Sequence, residues 1–178
     1  RHAGLHGFEL HSGEFRIVLE EAFLSHLGTE HGGLRKLPDD FSQSTRVVPF
    51  NMVLDDGIGD NNIGIGGTAQ FIFINRFTPA AGAYPITLNQ VQVYFATAGL
   101  VNVGDDMLLA LYENTSGNTD PAVGSNWLAS FSATVQTLDA WNVYSLPSPV
   151  TLNGPGDVII GVIALEKPGT SYWPASID

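Results

Sequence analysis

Apolar and polar residues alternate along most of the chain from Val47 onward, and this period of two predicts seven β-strands. In one of them Val91, Val93 and Phe95 share a face, while Gln90 and its polar neighbours lie on the other. Turns rich in Gly, Pro, Asn and Asp separate the segments, as in an antiparallel sandwich. The predicted strands are 47–53, 68–77, 87–96, 107–113, 127–136, 141–146 and 157–165.

The pattern also predicts which residues form the core. The segment 158–163 is apolar on both faces, which is typical of a central strand. Trp127 lies in register with Phe131 and Val135 and is therefore assigned to the core. The predicted fold is all-β, an antiparallel β-sandwich resembling a jelly roll, with an immunoglobulin-like sandwich as the alternative.

The first 46 residues have a different pattern. Apolar residues recur every four positions between Ser12 and Leu27, which predicts one amphipathic helix with Ser12 as its N-cap. A polar linker, 42–46, follows. Since one short helix cannot bury its own apolar stripe, we expect it to dock on the β-domain or on another chain. The predicted division is an N-terminal segment, 1–46, and a β-sandwich domain, 47–178.

Composition and charge narrow the function. Only 14% of residues are charged, against about 25% in typical soluble domains. This composition is common in exported bacterial β-proteins, so we expect secretion or a cell-surface location. The net charge of −11 disfavours nucleic acid and anionic lipid as partners. No apolar run reaches the roughly 20 residues of a membrane-spanning helix.

Catalysis is disfavoured by the distribution of nucleophiles and bases. The chain contains no cysteine, and all five histidines precede Arg46. Neither a Ser–His nor a Cys–His pair can therefore form within residues 47–178. We predict that the domain is not an enzyme.

Five short segments carry a resemblance to a known type of domain. They are Asp55–Gly57 (DDG), Asn75–Pro79 (NRFTP), the loop Tyr112–Pro121, and the pair Trp141–Tyr144 (WNVY) and Gly154–Val158 (GPGDV). The region 47–178 resembles an accessory β-sandwich domain of large secreted or cell-surface bacterial proteins. The resemblance implies an exported module without known activity, found beside peptidase or repeat domains. It also implies a further strand, so we expect the C-terminus to be cut short.

An acidic loop is the first candidate site. Asp55, Asp56, Asp60 and Asn62 supply carboxylate and amide oxygens, the ligands that calcium prefers. The competing interpretation is a solvated turn, in which Asp and Asn serve turn geometry. The loop 113–120 is a second calcium candidate, although it has fewer carboxylates than the corresponding loop of similar domains.

Two other residue groups are candidate sites. Aromatic rings stack on sugars, and Tyr172 and Trp173 are the predicted exposed ligand-binding pair among the aromatic residues. The spacing of His2 and His6 suits a transition metal if the segment is helical, but an exposed terminal stretch explains the same histidines.

Two functions follow from these observations. The first is a structural or assembly module that docks to a partner chain or to copies of itself, because a sandwich lacking one strand exposes an edge. The second is a calcium-assisted carbohydrate-binding module.

Overall fold

The computed structural model describes residues 15–23, 46–53, 60–64, 70–164 and 172–177, and side chains are described outside 15–23 and 46–51. These residues form β-strands and two short 3-10 turns, Ala81–Ala83 and Thr97–Gly99. The strands are β1 (Phe15–Phe23), β2 (Arg46–Val53), β3 (Asn61–Ile63), β4 (Phe71–Phe77), β5 (Ile86–Phe95), β6 (Asp106–Asn114), β7 (Ser125–Thr134), β8 (Ala140–Leu152), β9 (Asp157–Ala164) and β10 (Ala175–Ile177).

The strands form three antiparallel sheets. One four-stranded sheet has the order β2-β1-β5-β8, and the other has the order β4-β9-β6-β7. The short strands β3 and β10 pair with each other. The prediction of an all-β, antiparallel fold is therefore confirmed.

One hydrophobic core joins the two four-stranded sheets. Its members include Phe73 and Phe77 from β4 and Val91 and Phe95 from β5, each at most 1% exposed. The side chains alternate inward along these strands because a strand places successive residues on opposite faces. Burial of a large aliphatic or aromatic side chain contributes about 1.5–3 kcal/mol, so this cluster is the main source of stability.

The strand predicted to be central is central. β9 lies between β4 and β6, and residues on both of its faces are buried. Ile160 belongs to the main core, whereas Ile159 belongs to a second cluster on the opposite face. That second cluster contains Ile72, Ile74, Ala110, Tyr112 and Ile159.

The helix predicted over Ser12–Leu27 is wrong where the structure describes it, because Phe15–Phe23 is a strand. A spacing of four residues is even, so Phe15, Leu19 and Phe23 fit a strand period of two as well as a helix. The ends of that predicted helix, 12–14 and 24–27, lie outside the described residues.

Pairing with strands that are distant in the sequence makes Phe15–Phe23 a strand and not a helix. β1 is hydrogen-bonded to β2 along one edge and to β5 along the other. The boundary predicted between residues 46 and 47 therefore falls at the start of β2, a strand that pairs with β1.

Candidate functional site

The structure describes two of the four residues predicted to bind calcium. Asp60 is exposed, and its backbone N–H donates to the carbonyl of Ile177 at 2.9 Å. The Oδ1 of Asn62 accepts a hydrogen bond from Ser176 Oγ at 3.0 Å. Both residues thus connect the β3 region to β10. Asp55 and Asp56 lie outside the described residues, and so do the five histidines. Within the described ranges, no three His, Cys, Asp or Glu side chains group together as metal ligands do.

The second calcium candidate, the loop after β6, is held by its own polar side chains. A side-chain oxygen accepts the backbone N–H two residues further on at Asn114 (3.0 Å), Ser116 (3.2 Å), Asn118 (2.9 Å) and Asp120 (2.9 Å). Such turns let short polar side chains replace backbone pairing. The loop is therefore folded on itself through four successive side-chain turns.

This loop is anchored at its base by Asn114, which is only 1% exposed. Its Nδ2 donates to the carbonyl of Val123 at 3.0 Å, so the side chain joins both ends of the loop. Gly156 packs against the same point, since a Cβ there would come within 2.6 Å of the Asn114 carbonyl oxygen. A glycine at 156 is therefore required for the loop to approach the turn before β9.

Two other sequence motifs meet beside this loop. Thr78 Oγ1 donates to Asp157 Oδ1 at 2.7 Å, which connects the NRFTP and GPGDV segments. Arg76 forms a long ion pair with Asp157 (3.8 Å) and donates from its guanidinium to the carbonyl of Thr119 at 2.7 Å. Tyr84 donates to the carbonyl of Gly156 at 2.8 Å. Burial and the nearby negative charge of Asp157 both raise the pKa of the Tyr84 hydroxyl.

The WNVY motif contains a second internal polar centre. Asn142 is fully buried, and Tyr144 is buried with its hydroxyl donating to the carbonyl of Thr134 at 2.9 Å. Taken together, these motif residues hold turns and loops against strands. The sequence contains these motifs as separate segments, and the pairing of the strands brings them together.

The predicted ligand-binding pair is not an exposed aromatic platform. Tyr172 is 2% exposed, belongs to the main core, and donates to the carbonyl of Ala164 at 3.4 Å. Trp173 is half-buried, and its backbone N–H donates to the carbonyl of Gly99 at 2.7 Å. The prediction that Tyr172 is exposed is therefore wrong, because residues 172–174 pack along the Thr97–Gly99 turn.

Trp127 was assigned to the core, and this assignment is also wrong, since the side chain is 50% exposed. The pairing of β6 with β7 shifts at this point: Leu111 pairs with Ala129, whereas Tyr112 pairs with Trp127. One extra residue, Leu128, lies between them. A bulge of this kind moves every residue beyond it to the other face, so Trp127 does not share the face of Phe131.

Tyr94 and Trp141 form an aromatic pair that the structure brings together. They are register partners on β5 and β8, and their ring centroids lie 5.7 Å apart in an edge-to-face arrangement of 64°. Both are half-buried, and Val143 nearby is 43% exposed. The strands therefore present one ring face and one ring edge rather than two coplanar faces.

The position of β1 is the most unusual feature of the fold. β1 lies between β2 and β5, and β2 reaches the rest of its sheet only through β1. Pairing with β2 is regular over eight residue pairs, whereas pairing with β5 shifts between Val18 and Leu19. We call the position between β2 and β5 the β1 slot.

Comparisons with protein-family models, curated protein sequences and solved structures found no match to this chain. In the part of the chain that the structure describes, no helix has the length and apolar character needed to cross a membrane.

Proposed function

We propose that this chain is a non-catalytic structural and assembly module of an exported or cell-surface bacterial protein, which docks to partner chains or to neighbouring copies. The observation that carries the proposal is the β1 slot: one four-stranded sheet is completed by a strand that a long connection, 24–45, separates from the rest. Sheet edges that need completion by a strand are a common basis of protein–protein contact.

The pairing order supports a jelly-roll sandwich over an immunoglobulin-like one. β6 pairs with β7, β5 with β8, β4 with β9 and β3 with β10. These pairs are nested around the β6–β7 hairpin. The first three alternate between the two four-stranded sheets, and β3–β10 forms a two-stranded sheet of its own. A long hairpin wound into two facing sheets has this order, as in double Greek-key folds.

The roles of the motif residues support a structural function. Asp157, Asn114 and Asn142, which are polar residues of the sequence motifs, hold neighbouring turns through side-chain hydrogen bonds. A low charged fraction accords with export, as does the resemblance of 47–178 to accessory domains of surface proteins.

Sedimentation equilibrium of the full chain over a wide concentration range tests the proposal. We expect the mean mass to rise with concentration as copies associate, because the module offers a sheet position that strands of other copies fit. A chain that stays a single monomer at every concentration up to about 1 mM, the range in which tethered strands compete, would overturn it.

A calcium-assisted carbohydrate-binding module is the second candidate, and the half-buried Tyr94–Trp141 pair is the observation that favours it. Aromatic rings at the surface stack on the apolar faces of sugars. A glycan array with and without a calcium chelator tests it. Binding that disappears in the Trp141→Ala variant would support this candidate, and an array without any binding would eliminate it.

A further inference from the structure

We infer that the β1 slot also accepts the β1 strand of a second copy of this chain, so that copies assemble by exchanging β1. This inference rests on the proposed function and deepens it, because it names the partner and the contact. The contact is backbone pairing of β1 with β2 and β5, which the β1 strand of any copy can reproduce.

The first support is the place of β1 in the pairing order. Four pairs, β6–β7, β5–β8, β4–β9 and β3–β10, are nested around the β6–β7 hairpin, and the series runs outward to β3 with β10. The next pair of that series would join β2 to a strand that follows β10 in the chain. β2 pairs instead with β1, which precedes it. The slot is therefore filled by a strand from outside the winding order of the fold.

The second support is the connection between β1 and β2. Adjacent antiparallel strands need a turn of about two to five residues, yet residues 24–45 separate these two. A connection of that length spans at most roughly 75 Å when fully extended. The connection is thus long enough for β1 to leave its own slot and enter the slot of a neighbour.

The third support is what an empty slot would expose. Val91 and Val93 of β5 face the core and are fully buried, and β5 would present an unpaired edge beside them. Exposed edges of this kind pair readily with other strands. In register, Phe15, Ile17 and Leu19 lie opposite the buried Val93, Val91 and Leu88. A released slot is therefore specific for a strand of this pattern.

The concentration of the chain decides whether β1 fills its own slot or the slot of another copy. Tethering through a connection of this length gives β1 an effective concentration of about 1 mM at its own slot. Since the contacts are identical within and between copies, exchange becomes appreciable near that chain concentration. Copies crowded on a surface or arrayed in one large protein reach this range, whereas dilute copies keep their own β1.

The test uses disulfide trapping in a chain that has no cysteine of its own. Arg16 of β1 lies opposite Gln92 of β5. Residues opposite each other in antiparallel strands have Cα atoms roughly 4.5–5.5 Å apart, which suits a disulfide. An Arg16→Cys chain and a Gln92→Cys chain are unfolded together, refolded at several concentrations, oxidised, and separated without reductant. Val18→Cys with Gln90→Cys is a second pair at the same interface.

Two controls test whether the trapped disulfides report exchange of β1. The double variant Gln92→Cys with Val143→Cys joins β5 to β8, which are register partners, and must close within one chain at every concentration. A chain whose residues 24–45 are replaced by an Asn-Gly turn keeps β1 paired with its own β2, so β1 alone cannot enter the slot between β2 and β5 of a neighbour.

We expect mixed disulfide dimers between the two single variants, with a yield that falls about a hundredfold when refolding is done at about 10 µM instead of about 1 mM. The Asn-Gly turn should abolish them. Mixed dimers that never form, in a chain whose mass still rises with concentration, would overturn strand exchange and leave assembly standing. A chain that shows no association in sedimentation would overturn the proposed function itself.

Discussion

The side-chain oxygen of Asn142 accepts a hydrogen bond of 2.7 Å from the backbone N–H of Gln136, in a region where Asn142 is fully buried. The same oxygen accepts from the N–H of Thr137 at 3.0 Å, and the amide Nδ2 donates to the carbonyls of Thr137 (2.9 Å) and Ala140 (3.0 Å). Asn142 therefore replaces the missing backbone pairs of the turn between β7 and β8.

Asn142→Asp should destabilise the fold strongly at neutral pH. The carboxylate keeps the shape of the amide but directs an oxygen at two carbonyl oxygens and carries a buried charge. We expect a loss of about 2–4 kcal/mol in the free energy of unfolding, measured by urea denaturation. Asn153→Asp, at an exposed turn position, should change it by less than about 0.5 kcal/mol. Equal losses in both variants would contradict the role of Asn142.

Tyr144 should make the protein sensitive to alkali. Burial raises the pKa of its hydroxyl above the ordinary value of 10.0. Above about pH 10 the unfolded chain therefore releases a proton that the folded chain retains, and stability falls as pH rises. Tyr144→Phe loses the hydrogen bond to Thr134, worth about 1–2 kcal/mol near pH 8. The gap between the two proteins should narrow from about pH 10 upward, and a constant gap would contradict this prediction.

Asp139 should contribute to acid sensitivity. Its carboxylate accepts from Thr97 Oγ1 at 2.7 Å and from the Thr97 N–H at 2.9 Å, and these bonds lower its pKa below the ordinary 3.8. The stabilisation is complete above that value and is lost as pH falls through the lowered pKa.

Asp139→Asn tests this effect, because asparagine tolerates the left-handed φ of 54° at this position. The decline of the urea midpoint below about pH 4 should become less steep. Thr97→Val should produce the same flattening, since it removes the hydroxyl donor. A decline as steep as that of the unmodified chain in both variants would be inconsistent with this assignment.

Ser116 should keep the loop after β6 ordered. Its hydroxyl donates to Asn114 Oδ1 at 2.6 Å and accepts the N–H of Asn118 at 3.2 Å. Ser116→Ala should cost about 1 kcal/mol and accelerate amide hydrogen exchange at Asn118. Ser132→Ala, at an exposed position of β7, is the matched control. Unchanged exchange at Asn118 in Ser116→Ala would contradict the side-chain turns.

Trp127 should be the most accessible of the three tryptophans. It is 50% exposed, whereas Trp141 and Trp173 are more deeply buried. Acrylamide is the suitable quencher because it is neutral, whereas the chain's charge of −11 repels iodide. Trp127→Phe should remove the most readily quenched part of the fluorescence. Quenching that is unaffected by the substitution would mean that Trp127 is covered.

The alternating pattern determined most of the strands. All seven predicted segments correspond to β2 and β4–β9, with ends displaced by a few residues. The largest difference is β8, which continues to Leu152 rather than ending at 146. The centrality of β9 was also predictable, because a strand covered on both faces must be apolar on both.

The sequence alone determined, then, where seven strands from β2 onward lie, since side-chain alternation is local. It missed β3 and β10, because three residues are too few to show an alternation. Tertiary structure decided the rest. β1 is a strand because β2 and β5 supply hydrogen bonds on both edges, although its four-residue spacing suits a helix equally well. Trp127 faces outward because a bulge shifts its register, and Tyr172 is buried because its segment packs on a distant turn. Each outcome depends on backbone pairing between residues far apart in the chain, which side-chain periodicity does not encode.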